Sequence, residues 1–195
     1  MYILFIVDPQ NDFIEGGKLP VKGGTKALEN IAHLILKDRD KISSVITSQD
    51  WHPGNHKSFI EFGGTFPEHC VERTWGSEIY LSISEAIDNS RLELFSLYKG
   101  VSSEQYSAII GSTVEYRNTI ELETAENGSF SVCKDTEIVV CGLAGDICVY
   151  NTICSLLNAG LNKISVYLKG TASLDNGNKL NELITSKKLK IYDVK

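Results

Sequence analysis

The sequence predicts an α/β protein, a three-layer α/β/α sandwich built on a six-stranded, mostly parallel sheet. Two observations carry this. Short apolar runs of strand length alternate with amphipathic helical stretches along the chain, the pattern of repeated strand–helix–strand units. The first run, YILFIV at 2–7, is apolar at every position rather than at alternate ones, as expected of a strand covered on both faces.

The elements follow in order. After the strand at 2–7, Gly23-Gly24-Thr25 open a helix that runs to Lys37, with Leu28, Ile31, Leu34 and Ile35 on one face. Ile42 to Thr47 is the second strand, Ile79 to Asn89 a helix, and Leu92 to Tyr98 the third strand. Glu137 to Cys141 is the fourth strand and runs into Gly142. A helix from Asp146 ends at Gly160, a residue suited to a helix stop. Ile164 to Leu168, a helix over Asn178 to Lys187, and a last strand over Leu189 to Val194 complete the set. The stretch 111–136 is the least patterned; its polar composition and Asn127-Gly128 suggest a long excursion or a hairpin. No internal repeat, low-complexity segment or linker interrupts the chain.

A chain of 195 residues suits one domain over 1–195. Its 42% hydrophobic and 23% charged residues are ordinary for a soluble globular protein. The net charge of −6, with no basic run longer than Lys187-Lys188, disfavours a nucleic-acid partner. No apolar stretch approaches the length of a membrane span, so a membrane role is not expected. YILFIV has no basic residues before it and stops at Asp8-Pro9, unlike a secretory signal. The five cysteines, odd in number and without a C-x-x-C, read as reduced thiols rather than a disulfide framework. A cytoplasmic protein is therefore expected, with its oligomeric state open, a homo-oligomer included.

Three of the four histidines cluster. SQDWHPGNHKSF and, shortly after, TFPEHC supply Asp50, His52, His56 and His69. Imidazole nitrogen with carboxylate oxygen suits a borderline divalent ion such as zinc, iron or manganese. Asp50 and His52, two apart on an extended segment, point the same way, and His69 from a later loop completes a three-ligand set. Three protein ligands leave coordination positions for water or substrate.

A second signal is VVCGLAGDICVYNT, in which a strand, a glycine turn and a helix put Cys148 near a helix N-terminus. Such a position lowers a thiol's pKa. Cys148, like Cys141 and Cys154, equally suits a buried core position. In a parallel sheet, ligands bind beyond the carboxyl ends of the strands. Asp8, Asp50 with His52, Lys99 and the 142–148 turn all follow strands and so share one edge. A cysteine, a carboxylate and an ammonium make an acid–base unit: Asp8 takes the thiol proton, and Lys99 holds Asp8 ionised.

Together DPQNDF, DWHPGNHKSF, TFPEHCV, YKG and GLAGDICV resemble the nicotinamidases (pyrazinamidases), a branch of the isochorismatase-like cysteine hydrolases. The resemblance covers roughly residues 1–106 and 137–175. It implies metal-dependent hydrolysis of nicotinamide to nicotinate and ammonia through a cysteine thioester, feeding NAD salvage, with pyrazinamide as a further substrate. It implies a catalytic triad of Asp8, Lys99 and Cys148, and metal ligands Asp50, His52 and His69 with zinc as the ion. His56 resembles a position that ligates in some members, and Glu61 one where some relatives place a further carboxylate. Phe13, Phe66 and Tyr106 match aromatic positions of the nicotinamide pocket, and equally suit core packing. Leu143–Ala144 matches a cis peptide that aims the Ala144 and Cys148 amides at an oxyanion. Two departures stand out. Gly145 occupies a place where many members have Thr, so a hydroxyl contact is lost or supplied otherwise. The 107–136 region does not match and is assigned no function.

Overall fold

The first strand, β1 (Tyr2–Val7), lies at the centre of the sheet, and every other part of the architecture is placed by it. The computed structural model describes residues 1–102, 105–116 and 118–194. After β1 come α1 (Gly24–Lys37), β2 (Ile42–Asp50), α2 (Leu81–Ser90), β3 (Leu94–Lys99), β4 (Ile109–Tyr116), β5 (Thr119–Thr124), β6 (Ser129–Cys133), β7 (Glu137–Gly142), α3 (Tyr150–Asn158), β8 (Ile164–Thr171), α4 (Asn178–Lys187) and β9 (Lys190–Ile191). The main sheet has six strands in the order β3-β2-β1-β7-β8-β9, and its pairs are all parallel.

The continuous apolar character of β1 is explained by its two faces. Tyr2, Leu4 and Ile6 enter one core with α1 and α2, through Leu28, Ile31, Leu34, Ile35, Ile83 and Ile87. Phe5 and Val7 point the other way, into a second core with Val149, Ile153, Leu156, Leu180 and Leu183 around α3 and α4. Side chains alternate across a strand, so a strand with a core on each side has no polar position.

Chain order reverses at β1, which has β2 on one side and β7 on the other. A crevice opens at such a switch point beyond the carboxyl ends of the strands. Close approach there depends on Gly142, at φ 121°, where a β-carbon would fall 2.0 Å from the Val7 carbonyl oxygen.

The sequence elements hold, with several bounds adjusted: β2 runs on from Thr47 to Asp50, β8 from Leu168 to Thr171, and α2 is Leu81–Ser90. The strand expected at Leu92 to Tyr98 is shifted to Leu94–Lys99, which takes Lys99 into the ladder. The last strand is short, Lys190–Ile191 rather than 189–194. The weakly patterned 111–136 region, whose residue 117 lies outside the described residues, is a hairpin of β4 and β5 extended by β6 into a separate three-stranded antiparallel sheet. It buries Ile120, Leu122 and Val132 in the core of the α3 face. These residues alternate with polar ones, the mark of a sheet covered on one face only.

Leu28 is fully buried between α1 and the sheet. Leu28→Ala is expected to lower stability by about 2–5 kcal/mol, read as a lower urea midpoint at unchanged slope.

Candidate active site and metal centre

Parallel register brings the polar strand ends together. Asp50 and Lys99 are direct partners in the β2–β3 ladder. Val7 pairs with Ser48, and the Asp8 amide donates to the Ser48 carbonyl at 3.0 Å. The chain turns out of β1 at Asp8 itself, in the left-handed region at φ 47°. All four strand-end groups expected on one edge are therefore on it.

Lys99 is wholly buried. Its Nζ lies 2.9 Å from Asp8 Oδ2, contacts Asp50 Oδ1 and stands 3.6 Å from Cys148 Sγ. Burial works against the ammonium, but Asp50, Asp8 and Cys148 outweigh it and hold its pKa well above the usual lysine value. The sequence pairs Lys99 with Asp8 and reserves Asp50 for the metal; the structure has Lys99 bridging both. For Asp50, burial opposes ionisation, but Lys99 and the two histidines overcome it and keep the carboxyl charged. Asp8 behaves differently. Burial raises its pKa, the charge of Asp50 adds to that, and Lys99 with the Ser48 hydroxyl, which donates at 2.6 Å, only partly offsets it.

The structure corrects the expectation of an acidified thiol. Residues Gly145–Val149 form a wide turn in which the Val149 amide donates back to the Ala144 carbonyl at 3.1 Å, and α3 begins only at Tyr150. Cys148 thus sits in the wide-wound opening turn of a helix that continues without a break as α3, near the N-terminus where the sequence places it. Burial pushes its thiol pKa well up; Lys99 pulls it down, while Asp8 and Asp50 push it further up. Asp8 lies beside it. The Leu143–Ala144 peptide is cis.

Asp50, His52 and His69 present donor atoms that lie within 4.8 Å of one another. His52 Nε2 is 3.7 Å and His69 Nε2 3.9 Å from Asp50 Oδ2. His52 Nδ1 lies 2.6 Å from the Gly100 carbonyl oxygen and His69 Nδ1 lies 2.8 Å from that of Pro67. A carbonyl only accepts, so each Nδ1 carries the proton and each Nε2 faces Asp50 with its lone pair, as metal-ligating histidines do. Burial lowers the His69 pKa and favours that neutral form. This donor set fits a divalent ion of the zinc class. Gly100, at φ 71°, leaves room for His52; a β-carbon there would fall 2.4 Å from the imidazole Cε1.

His56 stacks on His52 with ring centroids 4.3 Å apart. Its Nδ1 lies 2.7 Å from the Ser58 hydroxyl and 3.3 Å from the Ser58 amide. Glu61 is exposed on a short turn. Neither is in the converging donor set found among the described residues.

One pocket joins the thiol to the donor set. Phe13, Phe66 and Tyr106 all line it, along with Ala144, Cys148, His52 and His69. Sequence reasoning missed Phe59, which is 1% exposed and packs edge-on to the rings of His52, His56 and His69. It also missed Gln105, Ile147 and Leu174, which reach the pocket from separate segments. Phe59 and Ile147 stand inside motifs and carried a signal. Gln105 and Leu174 carried none, because nothing local distinguishes a pocket residue from any other.

The isochorismatase domain model matches residues 2–109. The chain belongs to the isochorismatase family. It is 32% identical over 179 residues to the nicotinamidase/pyrazinamidase of Mycobacterium tuberculosis, covering 90% of this chain and 89% of that one. The pyrazinamidase of Pyrococcus horikoshii in complex with zinc superposes with a TM-score of 0.76 at 26% identity, covering 99% of each chain. An L. infantum protein in complex with nicotinate gives 0.75 at 25% identity, covering 99% of this chain and 92% of that one.

Gly145, the position at which this isochorismatase-family chain departs from many members, has a neighbour that accounts for it. A β-carbon on Gly145 would fall 2.3 Å from Ser173 Oγ and 2.9 Å from Thr171 Cγ2. The loop after β8 that carries Ser173 is tied in by the Gly145 amide donating to the Ala172 carbonyl at 2.8 Å. Gly145→Ala should therefore cost about 1–3 kcal/mol by overpacking, with part of the loss recovered on adding Ser173→Gly, as urea unfolding of the single and double variants would read.

Proposed function

We propose that this protein hydrolyses nicotinamide to nicotinate and ammonia through a thioester on Cys148, with one divalent metal ion, zinc first among the choices. The observation that carries this is a single buried contact set: Lys99 Nζ stands against Cys148 Sγ, Asp8 and Asp50, and Cys148, Asp50, His52 and His69 line one pocket. The zinc complex and the nicotinate complex of the related structures support the same reading.

A divalent ion would be held by Asp50, His52 and His69 and would supply a Lewis-acid anchor that orients the ring. Phe13, Phe66 and Tyr106 enclose the ring. Asp8 takes the proton from the Cys148 thiol. Its raised pKa suits it to that task and to the later return of the proton. The thiolate attacks the carboxamide carbon, and the amides of Ala144 and Cys148 hydrogen-bond the oxyanion, an interaction of about 3–4 kcal/mol per donor in such sites. As the C–N bond breaks, Asp8 gives its proton to the departing nitrogen, and ammonia leaves. Water then loses a proton to Asp8 and attacks the thioester carbon. The C–S bond breaks, nicotinate is released, and the proton on Asp8 returns to the thiolate. Lys99 balances the carboxylate charge throughout.

No helix among the described residues is long and apolar enough to cross a membrane. The role we assign is that of a one-domain cytoplasmic enzyme of NAD salvage, with pyrazinamide as a second substrate.

Purified protein should release ammonia from nicotinamide, lose that activity to a chelator and regain it with zinc. Cys148→Ala should lower kcat by about 10⁴-fold or more while retaining metal, and normal turnover in that variant would sink the nucleophile assignment. His52→Ala should lose metal on dialysis, measured by elemental analysis, and bind substrate weakly.

A further inference from the structure

Three polar residues follow Asp8 in DPQNDF and take no part in the chemistry above, yet Gln10, Asn11 and Asp12 are only 0%, 6% and 3% exposed. Their side chains reach three different segments. Gln10 Oε1 accepts the Asp50 amide at 2.8 Å, and its Nε2 donates to the Asp50 carbonyl at 2.7 Å and the Ser77 carbonyl at 3.0 Å. The backbone of β1 has turned away by this point, so a side-chain amide takes its place as the ladder partner of Asp50. Asp12 Oδ2 accepts the Cys70 amide at 2.7 Å, and Oδ1 accepts the Lys18 amide at 3.0 Å. Cys70 directly follows His69. Gly76 makes room for that carboxylate, since a β-carbon there would fall 2.0 Å from Asp12 Oδ2. Asn11 Nδ2 donates to the Trp75 carbonyl at 2.8 Å, on a segment that carries no metal donor.

We propose that Gln10 and Asp12 are positioning residues of the metal centre, which together set the distance between the strand end bearing Asp50 and the loop bearing His69. The proposal rests on the metal reading above. Both residues lie at or in one short helical turn, Asn11–Phe13, so they act as the two arms of one bracket. Neither touches a donor atom; each holds the main chain of a donor-bearing segment. A buried amide or carbonyl deprived of such a partner pulls its segment toward any other that can satisfy it, and donor atoms that must meet on one ion tolerate little displacement.

The test is zinc affinity by chelator competition on the metal-free full-length protein, at a temperature where circular dichroism shows it folded. Gln10→Glu keeps the acceptor for the Asp50 amide and removes the donor to two carbonyls. Asp12→Asn keeps the size and removes one of two acceptors. Asn11→Ala, in the same turn, is the control for a purely structural effect. Gln10→Glu and Asp12→Asn should bind zinc about 10–100-fold more weakly, with kcat largely regained at saturating zinc, while Asn11→Ala stays within about twofold of the parent. Where Gln10→Glu does not fold, Asp12→Asn decides alone. Parental affinity in both test variants, or an equal loss in all three, overturns the positioning role and leaves the proposed function standing. A parent protein that takes up no zinc overturns the metal reading and this proposal with it.

Discussion

An ammonium group is sealed inside this protein, and much else is arranged to keep it there. Lys99 is fully buried at the end of β3, where an unpaired charge would be prohibitive. Asp8 and Asp50 both reach it. They do so because β3, β2 and β1 are parallel neighbours, with Asp50 level with Lys99 and Asp8 next to the Ser48 step of the ladder. A slip of one residue in any pair would turn one of these side chains to the opposite face.

The two carboxylates on that ammonium have different environments and so divide the work. Asp50 is held charged by Lys99 and two imidazoles, and its second oxygen faces their Nε2 atoms. Asp8 is more deeply desolvated and has its pKa raised, beside a thiol whose pKa is raised as well. One lysine thus links a group that stays ionised, suited to a cation, with a group able to take and return a proton. Pairs of titratable groups pushed apart in this way mark acid–base assignments.

The residues after Asp8 explain how such a site survives on loops. Strand ends are held by ladder bonds on one side only, and the segment bearing His69 belongs to no strand. A backbone bridge joins the two, the His52 amide donating to the Cys70 carbonyl at 3.0 Å and the Glu72 amide to the His52 carbonyl at 2.8 Å, and side chains from a single short turn add to it, clasping Asp50 through Gln10 and Cys70 through Asp12. Phe59 backs the three imidazoles from behind.

Most of the fold was legible in the sequence, and so was the cluster at the heart of the site. Continuous apolar runs such as 2–7 have one physical interpretation, a strand with a core on each face, and parallel order then follows from the helices between them. Asp50 and His52 were legible because their spacing is local. Residues 111–136 were legible only as an excursion or a hairpin, and the third strand was not, since a one-face sheet needs only alternating polarity, which short polar segments mimic. The thiol's environment was also hidden. A helix N-terminus is visible in sequence, whereas the burial that outweighs it comes from Asp8, Asp50 and the packed core, residues far away along the chain. The sequence by itself determined which elements form, which residue types stand at strand ends, and which family the motifs resemble. Only the tertiary structure decided that Lys99 bridges two carboxylates, that His56 stacks on His52 outside the converging donor set, and that Ser173 fills the space at Gly145. Each of these depends on register and desolvation, which arise from contacts between distant segments and leave no local pattern.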